Sequence, residues 1–296
     1  MKGIYKTTLF LLAVFVLAAC SRKKNTFLSR NFHAVTAEYN TLYNGNLAFE
    51  DGKEELATGY RDNYWEILPV ERLDLDENST LPGESKNPNF NRAEEKAAKA
   101  IQKHSVYVNN KEHNPQTDEA YMLLGKSRYF DGRFIPSLDA FNFILDRYPT
   151  SNNITNANVW KAKANIRLDN EEVALESLQE LLEDVEREKI EMDEEELADV
   201  AAIMSEAYVK MDSIAEALPY MKIASENVQK NELKGRYNYI KGQLYNRLGE
   251  RDSANMAFDQ VIELNRKSPR VYMINAYIAK ARNFDYDNED KTAFLE

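Results

Sequence analysis

From Ser29 onward, apolar residues recur at steps of three and four, and alternating β-branched runs are scarce. This spacing places the apolar side chains on one face of an α-helix. Two stretches interrupt it: residues 74–91 are rich in Asn, Pro, Gly, Ser and acid, and residues 149–158 form a shorter turn region. Such compositions are typical of loops or boundaries. The pattern predicts an all-α protein with an N-terminal helical segment over 30–73, a linker over 74–91 and a helical array over 92–296.

The helical array contains an internal repeat. Tetratricopeptide repeats are helix pairs of about 34 residues, with small residues where the helices cross and aromatic residues in the gaps. Residues 118–151 match this pattern, with Gly132 in the turn and Ser137 as the small residue of the second helix. Three weaker copies follow at spacings of 37, 43 and 37 residues, and an incomplete fifth unit begins near Val271. The residues predicted to pack the repeats are Tyr121, Leu124, Gly125, Phe141, Pro149, Ala174, Ala217 and Ala254.

These repeats predict a tetratricopeptide-like helical solenoid of antiparallel helix pairs. One helix pair cannot bury its apolar face alone, so successive pairs stack and present an extended groove. Tyr208, Asn238 and Tyr245 lie at first-helix positions that often face this groove. We therefore predict that these three residues contact a protein partner.

The first twenty residues have the features of an export signal. Lys2 and Lys6 precede eleven consecutive apolar residues, 9–19. At a rise of about 1.5 Å per residue these span about half of a ~30 Å hydrocarbon core, which suits a signal peptide better than a transmembrane helix. The run ends Leu-Ala-Ala-Cys20, which resembles a bacterial lipobox. We predict a lipoprotein signal peptide over 1–19, acylation of Cys20 and a basic tether over 20–29; an ordinary signal peptide with an incidental cysteine is the alternative.

Composition and charge exclude several classes of function. The 296 residues carry a net charge of −11, whereas a nucleic-acid binder needs clustered Lys and Arg to neutralise phosphates. With one cysteine, the chain can form neither an intramolecular disulfide nor a cysteine-based zinc site. His33, His104 and His113 are scattered, and the helical pattern around the first two predicts packed or capping side chains. We expect no metal and no nucleic acid among the ligands.

Several short motifs resemble chemical sites, but each departs from the pattern. Gly125-Lys126-Ser127 matches the end of a phosphate-binding loop, but Ala120 stands where the loop needs glycine. The acidic runs 74–78 and 285–289 lack the turn glycine of calcium loops. There is no G-x-S-x-G motif, and Cys20 is assigned to lipid. The sequence thus predicts no catalytic residue, no cofactor and a non-enzymatic role.

Residues 169–199 concentrate acidic charge, with fifteen acidic and two basic residues. Such a field can steer association with a basic partner. We hypothesise that a partner-facing acidic ridge is formed by Glu191, Asp193, Glu194, Glu195 and Glu196. Solvated helix faces joined by a loop are the alternative explanation.

Three further stretches carry a family resemblance: residues 39–46 (YNTLYNGN), 62–70 (DNYWEILPV) and 92–106 (RAEEKAAKAIQKHSV). Together with the lipobox and tether, they resemble the PorW/SprE lipoproteins of Bacteroidetes, a family associated with type IX secretion and gliding motility. The resemblance implies an outer-membrane lipoprotein that faces the periplasm and binds protein subunits of the type IX machinery, without catalytic residues.

A nutrient-binding lipoprotein of a glycan importer is the alternative from another class, since such proteins also use these repeats. They usually bind sugar by aromatic stacking at the cell surface. The chain has only two tryptophans, Trp65 and Trp160, and its basic tether is unlike the acidic tethers of surface-displayed lipoproteins. The adaptor interpretation is therefore preferred.

Overall fold

The computed structural model describes residues 26–73, 87–109 and 111–284. The predicted signal peptide, Cys20, most of the tether, most of the linker and the acidic run 285–289 lie outside the described residues.

The regular structure is almost entirely helical. A π-helical turn (Ala37–Leu42) connects the first two helices, and a short antiparallel hairpin pairs β1 with β2. The elements are α1 (Phe27–Thr36), α2 (Tyr43–Gly59), α3 (Pro88–His104), β1 (Tyr107–Val108), β2 (Lys111–Glu112), α4 (Thr117–Phe130), α5 (Phe134–Arg147), α6 (Ile154–Arg167), α7 (Glu171–Glu186), α8 (Glu194–Lys210), α9 (Ile214–Asn227), α10 (Asn231–Arg247), α11 (Arg251–Leu264), a 3-10 turn (Asn265–Lys267) and α12 (Arg270–Asn283).

The chain divides into two compact units. Unit 1 comprises residues up to Gly59 and Leu73–Ala164, and unit 2 comprises Tyr60–Arg72 and the residues from Asn165 onward. Thus the non-helical segment 60–72 leaves the helices that precede it and belongs to unit 2.

Helix pairs in unit 1 are held by a glycine on the first helix and a phenylalanine on the second. A Cβ atom on Gly125 of α4 would lie 2.5 Å from Cε1 of Phe141 on α5, and one on Gly52 of α2 would lie 2.7 Å from Cε1 of Phe90 on α3. Both phenylalanine rings are fully buried. Because the ring occupies the space of a side chain, only glycine permits this approach.

The same packing recurs in unit 2. A Cβ atom on Gly242 of α10 would lie 2.5 Å from Cε1 of Phe258 on α11. The small residues of the second helices, Ala174, Ala217 and Ala254, have no exposed surface, and Ser137 in unit 1 donates a hydrogen bond to the Gly125 carbonyl at 2.8 Å. The predicted all-α, tetratricopeptide-like arrangement of helix pairs is confirmed.

The turns between first and second helices are also periodic. Gly132, Asp169, Asp212 and Gly249 adopt positive φ angles of 77°, 56°, 56° and 81°. They lie 37, 43 and 37 residues apart, the spacings of the small second-helix residues. A left-handed residue after the helix satisfies terminal carbonyls and reverses the chain.

The N-terminal region departs from the expected boundaries. The helical part of the predicted segment 30–73 ends at Gly59. In the non-helical residues 60–72, the Leu68 amide and the Pro69 carbonyl bond side chains of α10. In addition, α2 and α3 form a helix pair of their own, so the array begins before residue 92. The residues inserted between these two helices obscure the pair in the sequence.

Candidate partner-binding site

A buried ion pair anchors segment 60–72 to α10, the first helix of the α10–α11 pair. Arg236 is only 1% exposed, and its Nη2 and Nη1 atoms donate to Oδ1 and Oδ2 of Asp62 at 2.8 and 3.0 Å. Bidentate guanidinium–carboxylate pairs combine charge with fixed geometry. The pair therefore determines which side of α10 the segment covers.

The backbone of the same segment is also bound. Arg236 Nε and Nη2 donate to the Pro69 carbonyl at 2.9 and 2.7 Å. Gln243, two turns further along α10, accepts from the Leu68 amide at 2.9 Å and donates to the Glu66 carbonyl. These contacts satisfy polar groups of a non-helical chain that would otherwise lose water without compensation.

Aromatic side chains complete the contact. The Tyr64 ring lies edge-on to Tyr239 and Tyr272, with centroids 5.2 and 6.3 Å away. Trp65 projects outward, 73% exposed, with the Arg282 guanidinium 4.4 Å from its ring centroid. Burial raises the pKa of Tyr239 to about 12.

The protonation state of Arg236 is secured by its partners. Burial by itself would lower the pKa of this guanidinium, but the hydrogen bonds and charge of Asp62 raise it above its ordinary value. The Tyr272 hydroxyl accepts a further hydrogen bond from Nη1 at 3.0 Å. The site thus holds a permanent cation that is matched to a carboxylate and to backbone carbonyls.

The three residues predicted to face the groove make contacts within the array of helices. Tyr208 of α8 stacks on Tyr220 of α9, with centroids 5.6 Å apart, and Tyr245 of α10 lies 5.2 Å from the Lys222 ammonium of α9. Asn238 is buried and donates to the Lys234 carbonyl at 2.9 Å. These side chains therefore contact second helices or their own helix, and their role in partner binding stays a prediction.

Part of the predicted acidic ridge caps a helix. Asp193 accepts from the Glu196 amide at 2.8 Å, and the Glu196 carboxylate accepts from the Asp193 amide at 3.1 Å, which is a capping box at the start of α8. Glu195 pairs with Lys230 at 3.3 Å. Glu191 and Glu194 are exposed, so they are the ridge residues that the structure leaves most available to a partner.

Unit 1 contains a separate cavity of about 1110 Å³. Tyr121 and Phe143 stack along its wall, with centroids 4.2 Å apart, and Tyr148 lies 6.1 Å from Phe143. Burial raises the pKa of Tyr121 and of Tyr148. The remaining polar wall includes Asp118 and Glu119. The cavity could accept a polar ligand with an apolar face.

The other motifs have structural surroundings that differ from a reaction centre. Gly125 and Lys126 lie inside α4, where Ser127 donates to the Leu123 carbonyl at 2.7 Å. His33 and His104 are buried together, with their Nδ1 atoms 3.3 Å apart. Across the described ranges, three or more His, Cys, Asp or Glu side chains are nowhere grouped to hold a metal ion.

No helix among the described residues is both long and apolar enough to cross a membrane.

No family model and no curated protein sequence matches the chain. Among solved structures, the chain is similar to the crystal structure of TTC0263, a thermophilic tetratricopeptide-repeat protein of Thermus thermophilus. The match has 16% sequence identity and a TM-score of 0.48, and it covers 79% of this chain and 98% of that chain.

Proposed function

We propose that this chain is a periplasm-facing outer-membrane lipoprotein that serves as a scaffold in type IX protein secretion and gliding motility, binding protein partners without catalysis. The lipobox at Cys20 and the N-terminal stretches that resemble PorW/SprE proteins support the location and the system. The tetratricopeptide-like helix pairs support the scaffold role, because stacked pairs offer long faces to other polypeptides.

One observation carries the scaffold part of the proposal. In unit 2, the first helix α10 binds a non-helical polypeptide segment. The contacts involve a carboxylate of the segment, its backbone groups and aromatic rings on both sides. These are the contacts by which a helical repeat would bind a segment of another protein. The partners would be subunits of the type IX machinery, and the proposed task is to bridge its motor and ring to the outer-membrane translocon.

The test uses the full chain in a gliding, type IX-competent Bacteroidetes host that lacks its own copy. Wild-type protein and Cys20→Ser are compared by membrane fractionation, in vivo cross-linking and secretion of a type IX cargo. We expect the wild type in the outer-membrane fraction, cross-linked to type IX subunits, and Cys20→Ser released with loss of secretion. Normal cargo secretion without the chain, or cross-links only to unrelated proteins, would overturn the proposal.

The aromatic-lined cavity of unit 1 favours a second candidate, the nutrient-binding lipoprotein of a glycan importer. Protease treatment of whole cells separates the two, because a glycan receptor has to be displayed outside. A chain that survives until the outer membrane is permeabilised supports the scaffold, and immediate cleavage supports the glycan receptor.

A further inference from the structure

A lysine repeats at one position of the first helices in unit 1. It directly follows the small residue at which the two helices of a pair cross, and the same position can be identified in α10 by the Gly242–Phe258 contact. The pairs are Gly52-Lys53 in α2, Gly125-Lys126 in α4 and Ala162-Lys163 in α6.

Unit 2 shows what this position contacts. In α10 it is Gln243, which binds the backbone of segment 60–72 at Leu68 and Glu66. In α12 it is Lys280, which forms an ion pair with Asp259. A side chain at this position can therefore bind a non-helical chain, and a lysine there can bind a carboxylate.

Two of the unit 1 lysines converge on one ring. The Nζ atoms of Lys126 and Lys163 lie 5.3 and 4.2 Å from the centroid of Trp160. An indole face attracts one cation, but two ammonium groups beside the same ring repel each other. The arrangement places two ammonium groups at one partly exposed aromatic ring.

The charged groups around Lys126 come from three helices. Burial, followed by the charge of Lys163, lowers the pKa of Lys126 to about 8, and Lys53 acts in the same direction. Glu119 and Glu50 raise it, but the balance still disfavours the ammonium form. Glu50 also pairs with Lys53 at 3.0 Å at the surface, where such pairs contribute little. An added carboxylate would stabilise the charged lysine.

We propose that the surface formed by the first helices of unit 1 (α2, α4 and α6) binds an extended acidic segment of a partner protein. The carboxylates of this segment bind Lys126 and Lys163, and its chain passes over Trp160. Neighbouring helices lie about 8–10 Å apart and an extended chain rises about 3.3 Å per residue, so acidic side chains about three residues apart match successive lysines. The inference rests on the proposed scaffold function and specifies the partner chemistry for one face.

The experiment measures binding of a fluorescein-labelled (Glu-Ser-Gly)₄ peptide to the full chain by fluorescence anisotropy. The neutral peptide (Gln-Ser-Gly)₄ is its isosteric control. We expect the acidic peptide to bind with a salt-dependent dissociation constant, and the neutral peptide to bind at least about tenfold more weakly, since a charge-assisted contact strengthens binding by about that factor.

Matched variants locate the site. Lys126→Gln/Lys163→Gln should raise the dissociation constant of the acidic peptide about tenfold or more, whereas Lys99→Gln/Lys103→Gln, on exposed positions of α3, should leave it within about twofold. Circular dichroism checks that both variants are folded. Equal binding of the two peptides, unchanged binding by the first variant or no binding at millimolar acidic peptide would overturn the inference.

A failure of the acidic-segment inference can be distinguished from a failure of the proposed scaffold function. Cross-linking to type IX subunits in cells does not depend on the synthetic peptide. Loss of peptide binding with intact cross-links would remove only the acidic-segment inference.

Discussion

The guanidinium of Arg236 and the carboxylate of Asp62 form a bidentate ion pair with both side chains buried, although 174 positions separate them in the chain. Asp62 lies in a segment without helical hydrogen bonding, and Arg236 lies in the middle of α10. Breaking such a pair from one side leaves an uncompensated buried charge. The pair is therefore the contact on which the placement of segment 60–72 depends most.

Replacing Arg236 with Met should release this segment. The variant leaves the Asp62 carboxylate and the Pro69 carbonyl without their donor, at a cost of about 3–5 kcal/mol for the ion pair. Hydrogen exchange measured by mass spectrometry should show loss of protection in peptides that cover 60–72. Arg72→Gln is the control, because Arg72 is partly exposed and lies 3.7 Å from Asp62, so the segment should stay protected. Equal deprotection in both variants would contradict the assigned role of Arg236.

Gly125→Ala should destabilise the chain through steric overlap with Phe141. The added methyl group would lie 2.5 Å from the ring, so the helices of the pair must separate, and overpacking of this kind costs about 1–3 kcal/mol. Gly242→Ala should behave alike because Phe258 lies equally close. Thermal unfolding measures the effect, and Phe141→Leu in the Gly125→Ala background should recover part of it.

Gly59→Ala is the matched control for these glycine substitutions. Nothing lies within 4 Å of the position that its Cβ would take, at the end of α2. We expect a neutral or slightly stabilising change of up to about 1 kcal/mol, since alanine restricts the unfolded chain. A loss of stability as large as that of Gly125→Ala would show that the ring contact does not account for the first substitution, because helix propensity favours alanine over glycine.

The repeat architecture was predictable because it depends on local residue types. Gly125, Ser137 and Phe141 mark where two helices cross, and close packing at these positions admits few alternatives. The Arg236–Asp62 pair was not predictable, because the stretch 62–70 has no repeat partner and its contacts depend on tertiary placement. Pro69, which cannot donate a backbone hydrogen bond, was a local sign that 30–73 could not be helical throughout.

Other sequence features have a role that only the structure defines. The Gly125-Lys126 dipeptide resembles part of a phosphate-binding loop in sequence, whereas its equivalence to Gly52-Lys53 and Ala162-Lys163 becomes clear only when the crossing contacts define equivalent positions. The contact between His33 and His104 had no sequence signal, since the two residues are 71 positions apart on different helices.

The two roles available to the acidic ridge can be separated by substitution. Asp193→Ala removes the capping box of α8 and should cost about 1 kcal/mol of stability, detected by denaturant unfolding. Glu191→Gln/Glu194→Gln should leave stability within about 0.5 kcal/mol, because both side chains are exposed. If the ridge binds a basic partner, Glu191→Gln/Glu194→Gln should lose that partner in a low-salt pull-down while remaining as stable as wild type. Retention of every complex would leave capping as the ridge's role.

Lys126→Met should make the folded chain more stable at neutral pH. The pKa of Lys126 falls to about 8 from an ordinary 10.5, chiefly through burial and then through Lys163, although Glu119 opposes the shift. The unfolded chain therefore binds this proton more tightly, so the free energy of unfolding of the wild type gains a contribution as pH rises from about 8 to 10.5.

Methionine removes the penalty that the folded chain carries below pH 8. We expect a gain of about 1–2 kcal/mol at pH 7, less than the full shift, because Lys126 also loses its attraction to Trp160. Urea unfolding at pH 7 and pH 10 should show a smaller difference between the two pH values in the variant than in the wild type. Lys53→Met, at a more exposed position, should change that difference less than Lys126→Met does, because Lys53 only adds to the shift of Lys126. Lys126 occupies the repeat position that Gln243 uses to bind the segment in unit 2. A residue at this position that lowers stability fits selection for binding, and a destabilising Lys126→Met would instead assign Lys126 to structure.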